Sequence, residues 1–364
     1  MAMDPQTMEN TGNSPRNAAI ILNWNGEKLL KEFLPQVVAC TDSAVTRVIV
    51  ADNGSTDGSV EWVRRTYGDT VGLMLFDRNY GFAEGYNRAV ADAAGYEYVT
   101  LLNSDLATDV GWDRILTEYM DSHRATGAAQ PKILSYRNPT MFEYAGASGG
   151  YIDRNGYPYC RGRIFGTCEA DEGQYDADAE VFWASGAALM VRRDVYLAVG
   201  GLDTAFFAHM EEIDLCWRIQ LAGYAVAAVP GATVRHLGGG SLPAENPRKT
   251  YLNFRNNLLM LHKNLPDNCR RSFLLRRRLL DTVAWAKYVL TLDFANAAAI
   301  VRAHRDFARM RRRYTDHPDR NLLPSTPFGR LNILTNYYLR GRRRFSELTG
   351  TRYPEAADNG GAGA

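Results

Sequence analysis

A repeated pattern in the first third of the chain constrains the fold more than any other feature. Apolar runs of strand length, Ala18–Leu22, Thr46–Ala51 and Val71–Phe76, each stop at a polar turn containing glycine and are followed by apolar residues at helical spacing. A fourth run, Tyr98–Leu102, ends on Asn103-Ser104-Asp105 before another helical pattern. Strands that alternate with helices predict a mostly parallel sheet with right-handed crossovers.

The fourth run places Asp105 where a buried strand would end. Open α/β sheets bind ligands at the carboxyl edge of their strands. A hard cation that bridges two phosphates prefers oxygen ligands on rigid backbone, and Asp105 is a candidate for one. The alternative is a turn-forming role, because Asn and Asp are common at strand ends.

The turn Asn79–Asn87 is punctuated by Gly81 and Gly85 and leads into a predicted helix. Backbone amides at such a turn can meet a phosphate or a ribose. The spacing is not that of a dinucleotide motif and includes no P-loop lysine. A plain turn with a packing glycine explains the same residues equally well.

Past Gly127 the alternating pattern gives way to β-rich segments. Val181–Val191 is a strand-like run broken by Gly186, where a ligand or a second backbone can come close. Trp183 in this run is a candidate stacking platform for a sugar, although aromatic residues in such runs more often belong to the core.

Three carboxylates, Glu211, Glu212 and Asp214, gather at the predicted start of a helix. Acids at that position complement the helix dipole and cap free amides, which accounts for one or two of them. Three within four residues favour a general base among them.

Two further residues are candidates for binding the leaving group. His236 follows a strand and precedes a glycine-rich loop, so it is a candidate to complete a metal shell begun by Asp105, against a purely structural role. Arg255, in a predicted helix, is a candidate for neutralising a diphosphate, against a solvated surface arginine.

Composition sets the class of protein. The chain of 364 residues is 46% hydrophobic and 23% charged, which is typical of a globular protein, and a formal net charge of +1 gives no reason to expect nucleic acid as a partner. The five cysteines form no C-x-x-C pair, so we expect neither a zinc site nor a disulfide framework, and a cytoplasmic setting. Residues 1–17 are polar and predict a disordered lead, and residues 351–364 a disordered tail.

Residues 266–350 predict a basic helical extension. From Arg270 to Tyr314 there are twelve Lys or Arg against three Asp, with apolar residues and aromatics between them. Basic amphipathic helices suit a peripheral contact with an anionic inner membrane, here through 270–314. A helical cap that packs its apolar side on the first domain explains the same pattern.

Over residues 17–265 the chain resembles the family 2 glycosyltransferases of the GT-A fold, in particular the rhamnosyltransferase-like branch that acts on bacterial surface polysaccharide. The order and spacing of several motifs carry this resemblance: Asn23-Trp-Asn-Gly26, Val50-Ala-Asp-Asn-Gly-Ser-Thr-Asp-Gly58, Asn79-Tyr-Gly-Phe-Ala-Glu-Gly-Tyr-Asn87, Leu102-Asn-Ser-Asp105, Gly200-Gly-Leu-Asp203, Glu211-Glu-Ile-Asp-Leu215 and His236.

The resemblance implies an α/β GT-A domain at 18–265, with a nucleotide-sugar half at 18–127, a smaller β-rich acceptor half at 128–265, and the helical extension after it. It implies a nucleotide-diphosphate sugar as donor, Mg²⁺ or Mn²⁺ as cofactor, and a glycan or polyprenyl-diphosphate-linked glycan as acceptor. The oligomeric state stays open.

The resemblance also implies roles for individual residues. Asp52 would face the nucleobase of the donor, and Asn79 and Gly81 would line the nucleotide pocket. Glu212 would be the general base that takes the acceptor's proton in a single inverting displacement. The remaining candidates are Glu211 and Asp214 beside the base, Asn23, Asn25, Asn87, Asn103 and Arg255 for the donor, Trp183 and Gly186 for the acceptor, and Asp105 and His236 for the metal.

Two departures from the family pattern leave rivals open. Asn103 replaces the first acid of the family's D-x-D motif, and Glu212 stands where relatives carry Asp. Both changes suggest a non-catalytic subunit of a polysaccharide assembly complex as the alternative. A nucleotidyltransferase is disfavoured, because no glycine-rich loop with a trailing Arg or Lys lies near the N-terminus.

Overall fold

The computed structural model describes residues 14–238, 246–325 and 328–349. The predicted tail at 351–364 lies outside the described residues, as do residues 1–13 of the predicted lead. The last residue of that lead, Asn17, is buried and begins the first strand.

The first half consists of the predicted strand and helix units. In chain order they are β1 (Asn17–Asn23), α1 (Glu27–Cys40), β2 (Thr46–Asp52), α2 (Ser59–Tyr67), β3 (Gly72–Leu75), α3 (Phe82–Asp92), β4 (Tyr98–Leu102), β5 (Leu106–Thr108) and α4 (Trp112–Ser122). Strand β1 pairs in parallel with β2 and β4, and β2 pairs in parallel with β3. The carboxyl ends of these four strands therefore meet at one edge.

The second half adds strands of mixed direction. In chain order its strands are β6 (Thr126–Ser135), β7 (Gly150–Ile152), β8 (Pro158–Cys160), β9 (Arg163–Ile164), β10 (Thr167–Cys168), β11 (Ala179–Glu180), β12 (Ala188–Arg192) and β13 (Ala225–His236). The helices α5 (Arg193–Ala198) and α6 (Glu211–Leu221) lie between β12 and β13 in the chain. The main sheet runs β11-β13-β6-β12-β4-β1-β2-β3, with β5 on β13, and β7 to β10 form a small second sheet. Strand β12 is antiparallel to both neighbours, β4 and β6.

Both faces of the main sheet are buried, as expected because its parallel strands are continuous apolar runs in the sequence. Successive residues of β1 face opposite sides, with Ala18 and Ile20 in one buried cluster and Ala19 and Ile21 in the other. The α/β architecture predicted from the sequence, with helices on both faces of the sheet, a smaller β-rich part and a helical extension, is confirmed.

The C-terminal part consists of α7 (Pro247–Asn264), α8 (Asp267–Leu290), α9 (Phe294–Met310) and α10 (Phe345–Thr349). Helix α7 is tied to α9, because Thr250 Oγ1 donates to Asn296 Oδ1 at 2.6 Å. The segment after α9 returns to the small sheet, where Phe345 stacks on Tyr151 with ring centroids 5.6 Å apart. None of the described helices is long and apolar enough to cross a membrane.

Candidate functional site

The donor side of the site is a hydrogen-bonded edge formed by the ends of β1 and β2. Asn23 and Asp52 lie opposite each other in the register, and Asn23 Nδ2 donates to Asp52 Oδ1 at 2.8 Å. The other carboxylate oxygen of Asp52 accepts from the backbone N–H of Ser55 at 2.9 Å. Nearby, Asn25 Oδ1 accepts from the N–H of Thr56 at 2.8 Å. The edge is thus fixed before any ligand binds.

Asn53, which the sequence reasoning did not single out, links this edge to the Asn79–Gly81 turn. Its Oδ1 accepts from the N–H of Tyr80 at 2.9 Å, and its Nδ2 donates to Asn79 Oδ1 at 3.1 Å and to the Gly81 carbonyl at 3.0 Å. Gly81 has φ of +82° with open space where a side chain would start. The turn is therefore preorganised and leaves room beside its backbone.

Two predicted donor-binding residues have structural contacts instead. Asn87 accepts from the N–H of Leu202 at 2.8 Å and the hydroxyl of Tyr196 at 2.7 Å, and donates to the Leu202 carbonyl at 2.8 Å. Arg255 is buried and donates to the Phe206 carbonyl at 2.7 Å. Both side chains are engaged with the protein's own backbone, which gives them a scaffolding role in this structure, and their assignment to the donor stays a prediction.

The structure brings Asp105 and His236 together, as the metal hypothesis requires. Strands β5 and β13 pair Leu106 with His236, and His236 Nε2 lies 3.0 Å from Asp105 Oδ1 and 3.3 Å from Asn103 Nδ2. Glu143 Oε2 lies 3.4 Å from Nδ1 on the other side of the ring. Burial lowers the pKa of His236, but the hydrogen bonds and attraction from Asp105 and Glu143 outweigh it and raise the pKa to about 10.

Asp105 and His236 supply two candidate ligands for a divalent metal ion. Across residues 14–238, 246–325 and 328–349, no group of three or more His, Cys, Asp or Glu side chains is arranged to hold a metal ion. Mg²⁺, however, usually takes one or two protein carboxylates and completes its shell with phosphate oxygens and water. Asp105 Oδ1 is a ligand of this kind, whereas His236 Nε2 is a nitrogen that suits a transition-metal ion such as Mn²⁺ better than Mg²⁺, and His236 would have to lose its proton to bind either.

Glu143 belongs to the site but was missed. It lies in an irregular segment between β6 and β7, and its Oε2 also accepts from the N–H of Ala145 at 2.5 Å. No motif surrounds it, so the sequence offers no signal that it would face His236 across more than 90 positions.

The candidate base lies at the start of α6, after a loop of unusual backbone. Phe207, His209 and Met210 have φ values of +68°, +67° and +75°. Side chains other than glycine rarely adopt this conformation, which persists only where the surroundings impose it. Directly after this loop come Glu211 and Glu212, whose Oε2 atoms are both buried and have no hydrogen-bond partner among the described residues.

The electrostatics of the three acids differ. Burial raises the pKa of Glu212 to about 7. Burial and the adjacent Glu212 raise the pKa of Glu211 well above its usual value. Burial would also raise the pKa of Asp214, but Arg218 at 2.8 Å and Lys263 at 2.9 Å outweigh this effect and lower it. Asp214 is thus a paired structural ion, whereas Glu212 is poised for proton transfer near neutral pH.

The two predicted acceptor residues differ in their surroundings. Gly186 lies beside the candidate base, because a Cβ placed on it would be 3.4 Å from Glu212 Cβ. Trp183 is only 2% exposed, and its Nε1 donates to the Tyr151 carbonyl at 3.0 Å. The ring is enclosed by the core in this structure and presents no open face, so nothing here supports the stacking role, which stays a prediction.

The metal side and the base side are joined by backbone. The N–H of Asn103 donates to the carbonyl of Ala187 at 2.9 Å, next to Gly186. The loop after β4 and the loop before β12 therefore form one continuous wall, with Asp105 on one part and Glu212 behind the other.

Comparisons with known proteins identify the family of the chain. The model of the family described as Glycosyl transferase family 2 matches residues 18–172. The N-acetylglucosaminyl-diphospho-decaprenol L-rhamnosyltransferase of Mycobacterium tuberculosis is 30% identical over 224 residues, which are 57% of this chain and 71% of the relative. The rhamnosyltransferase WbbL of Escherichia coli is 26% identical over 224 residues, 60% of this chain and 81% of the relative.

Solved structures support the fold. GalNAc-T7, crystallised with UDP, GalNAc and Mn²⁺, has a TM-score of 0.54 at 13% identity, covering 70% of this chain and 49% of that chain. Residues 1–349 of Staphylococcus aureus TarS, in complex with UDP-GlcNAc, have a TM-score of 0.51 at 13% identity, covering 80% of each chain. From its sequence relatives and its architecture, the chain belongs to the family 2 glycosyltransferases of the GT-A fold and to their rhamnosyltransferase-like branch.

Proposed function

We propose that the protein transfers a sugar, rhamnose, from a nucleoside diphosphate donor to a hydroxyl of a lipid-linked glycan by a single inverting displacement. The observation that carries the proposal is Glu212, a partly buried side chain whose Oε2 is buried without a hydrogen-bond partner among the described residues and whose pKa is raised to about 7, beside Gly186. A base with a pKa near the working pH is suited to accept a proton from a weakly acidic hydroxyl.

In the proposed step, Glu212 takes the proton of the acceptor hydroxyl as that oxygen attacks the anomeric carbon. The bond from that carbon to the diphosphate oxygen breaks, and the nucleoside diphosphate leaves with the electron pair. Mg²⁺ or Mn²⁺, held by Asp105 and His236, supplies positive charge against the diphosphate when bound. The pKa of Glu211 is raised by burial and by the neighbouring Glu212, so Glu211 stays protonated when Glu212 is ionised.

The donor is proposed to lie along the edge made by Asn23, Asp52 and Asn79. That edge is polar, hydrogen-bonded in advance and open at Gly81, which suits a planar base and a ribose. Rhamnose is proposed because the relatives from M. tuberculosis and E. coli are rhamnosyltransferases. The lipid-linked acceptor is proposed from the M. tuberculosis relative, whose name specifies a decaprenol diphosphate carrier. Such an acceptor places the enzyme at the cytoplasmic face of the inner membrane as a peripheral protein.

A thermal-shift screen of UDP, dTDP and GDP, each with and without Mn²⁺, tests the donor site. A ligand that binds only the folded state at a hundredfold excess over its Kd adds about 2.7 kcal/mol to the free energy of unfolding. We expect a metal-dependent rise in melting temperature with dTDP above that with UDP or GDP, because the similar protein RfbF of Shigella flexneri, 26% identical over 212 residues, is a dTDP-rhamnosyl transferase. No rise with any of the three would favour the non-catalytic alternative.

A further inference from the structure

A cavity of about 450 Å³ lies among the C-terminal helices. Its cationic lining comprises Arg270, Arg271 and Arg278 of α8 and Arg311 at the end of α9, beside the neutral His262 of α7. None of the described residues that line it is acidic. Four guanidinium groups around one small space repel each other, and an anion between them removes that repulsion.

Hydrogen bonding within the cavity is incomplete. Arg270 Nη2 pairs with Asp267 at 2.5 Å, but its Nη1 is buried and has no hydrogen-bond partner in the described part of the chain. His262 is neutral, because burial and the nearby Arg270 lower its pKa to about 4, and its Nε2 donates to the Arg311 carbonyl at 3.2 Å. A buried donor without an acceptor costs free energy, so the cavity is built to receive an acceptor from outside the chain.

The rest of the lining is apolar and continues onto the surface. Leu274, Leu275 and Phe307 complete the cavity wall. Leu275 also begins a ridge at four-residue spacing on α8, with Leu279 and Val283, which are 63%, 63% and 68% exposed. A helix ridge at this spacing lies on one face. An anion site that opens beside an exposed apolar ridge matches an amphiphile, whose charged head and apolar tail lie side by side.

We propose that this cavity binds the phosphate headgroup of an anionic phospholipid and docks the protein on a bilayer, with the Leu275–Val283 ridge against the acyl region. The charge complementarity supports this occupant, because the wall supplies four arginines and an unpartnered donor. The proposal rests on the proposed function only in its purpose, which is to bring the catalytic domain to a lipid-linked acceptor. Docking itself requires neither donor nor acceptor.

The test is co-sedimentation of the full chain with vesicles of phosphatidylcholine alone or mixed with phosphatidylglycerol, without nucleotide or acceptor. We expect retention only on the mixed vesicles. Arg270→Gln and Arg278→Gln should each lower the partition constant about fivefold or more, from the loss of one arginine at the anionic surface. Arg309→Gln is the matched control, because Arg309 is an exposed arginine of α9 that does not line the cavity. Its effect should stay within about twofold, since it lies outside the site.

Three results would overturn the proposal. The first is failure of the mixed vesicles to retain the protein. The second is an equal loss in Arg309→Gln, which would mean diffuse charge attraction without a site. The third is retention of Arg270→Gln and Arg278→Gln on the mixed vesicles at the wild-type partition constant, which would mean that the cavity does not bind the headgroup. Arg278 is exposed, so its variant keeps the test valid if Arg270→Gln unfolds. Glu212→Gln should bind vesicles like the wild type, so a failure of catalysis and a failure of docking remain distinguishable.

Discussion

Asn256 Nδ2 lies 2.7 Å from the carbonyl oxygen of His209, two residues before Glu211. The same amide group donates to the carbonyls of Phe206 at 2.9 Å and Ala208 at 2.8 Å. One buried side chain on α7 therefore holds the loop whose left-handed residues set the start of α6. Asn256 thus helps to hold a backbone conformation that costs about 1–3 kcal/mol per residue, together with Arg255, which donates to the Phe206 carbonyl.

Asn256→Ala is expected to lower kcat much more than it raises the KM for the donor, because the loop relaxes and Glu212 leaves its position beside the acceptor. It should also cost about 1–3 kcal/mol of stability, since buried carbonyls lose their donor. Steady-state kinetics and chemical unfolding measure the two effects.

The neighbouring Asn257 provides the control, because its Nδ2 donates to the Gly156 carbonyl at 2.8 Å, away from the loop. Asn257→Ala should lose comparable stability and retain kcat. Equal kcat in the two variants would show that Asn256 serves stability alone.

The pH dependence of transfer follows from Glu212. Burial raises its pKa to about 7, and only the carboxylate accepts a proton, so kcat/KM should rise with pH up to about 7 and then level off. Asp214 should not contribute, because its ion pairs lower its pKa. A rate that is independent of pH between about 5 and 8 would contradict the role of Glu212.

Stability has the opposite pH dependence. Since the folded-state pKa of Glu212 lies above the usual 4.5, the unfolded state binds fewer protons between these values. The contribution of Glu212 to the free energy of unfolding therefore falls as pH rises from about 4.5 to 7 and stays reduced above it.

Asp105→Asn is expected to abolish the metal-dependent part of the thermal shift given by the nucleotide, because an amide oxygen is a weaker ligand for a hard cation than a carboxylate. Differential scanning fluorimetry with and without Mn²⁺ measures it. Asp109→Asn is the matched control in the same segment, where Asp109 pairs with Arg235. An undiminished shift in Asp105→Asn would remove Asp105 from the metal site.

Gly186→Val is expected to raise the KM for the acceptor about tenfold or more, because a side chain beside Glu212 occupies space that an attacking hydroxyl needs. Nucleotide binding by thermal shift should be unchanged, since the donor edge is formed by other strands. Gly166→Val, at a position where a Cβ meets nothing within 4 Å, controls for the substitution itself. Unchanged acceptor kinetics in Gly186→Val would place the acceptor elsewhere.

Local patterns in the sequence predicted the features that depend on local chemistry. The strand and helix units, the edge at Asn23 and Asp52, and the meeting of Asp105 with His236 follow from periodicity, from turn residues and from the resemblance. Long-range contacts were beyond the same reasoning. Asn87 and Arg255 are of residue types that are common in binding sites, but here their side chains donate hydrogen bonds to backbone carbonyls of distant loops.

The position of Trp183 also depends on long-range packing that its local sequence does not predict. Its aromatic ring suits a sugar, but Gly150 approaches so closely that the ring lies in the core against the small sheet. Glu143 and Asn256 carry no motif, and their roles arise only because the chain folds them against His236 and the loop at His209. Tertiary packing decides such cases, and a single sequence does not encode it in local spacing.

The role of Glu212 as the general base is tested most directly by the transfer of labelled rhamnose from dTDP-rhamnose to a lipid-linked glycan, compared between Glu212→Gln and the wild type. Glutamine keeps the size of the side chain but accepts no proton, so the account predicts a loss of about 10²–10⁴-fold in kcat with the nucleotide thermal shift preserved. Transfer by Glu212→Gln at the wild-type rate would contradict the account.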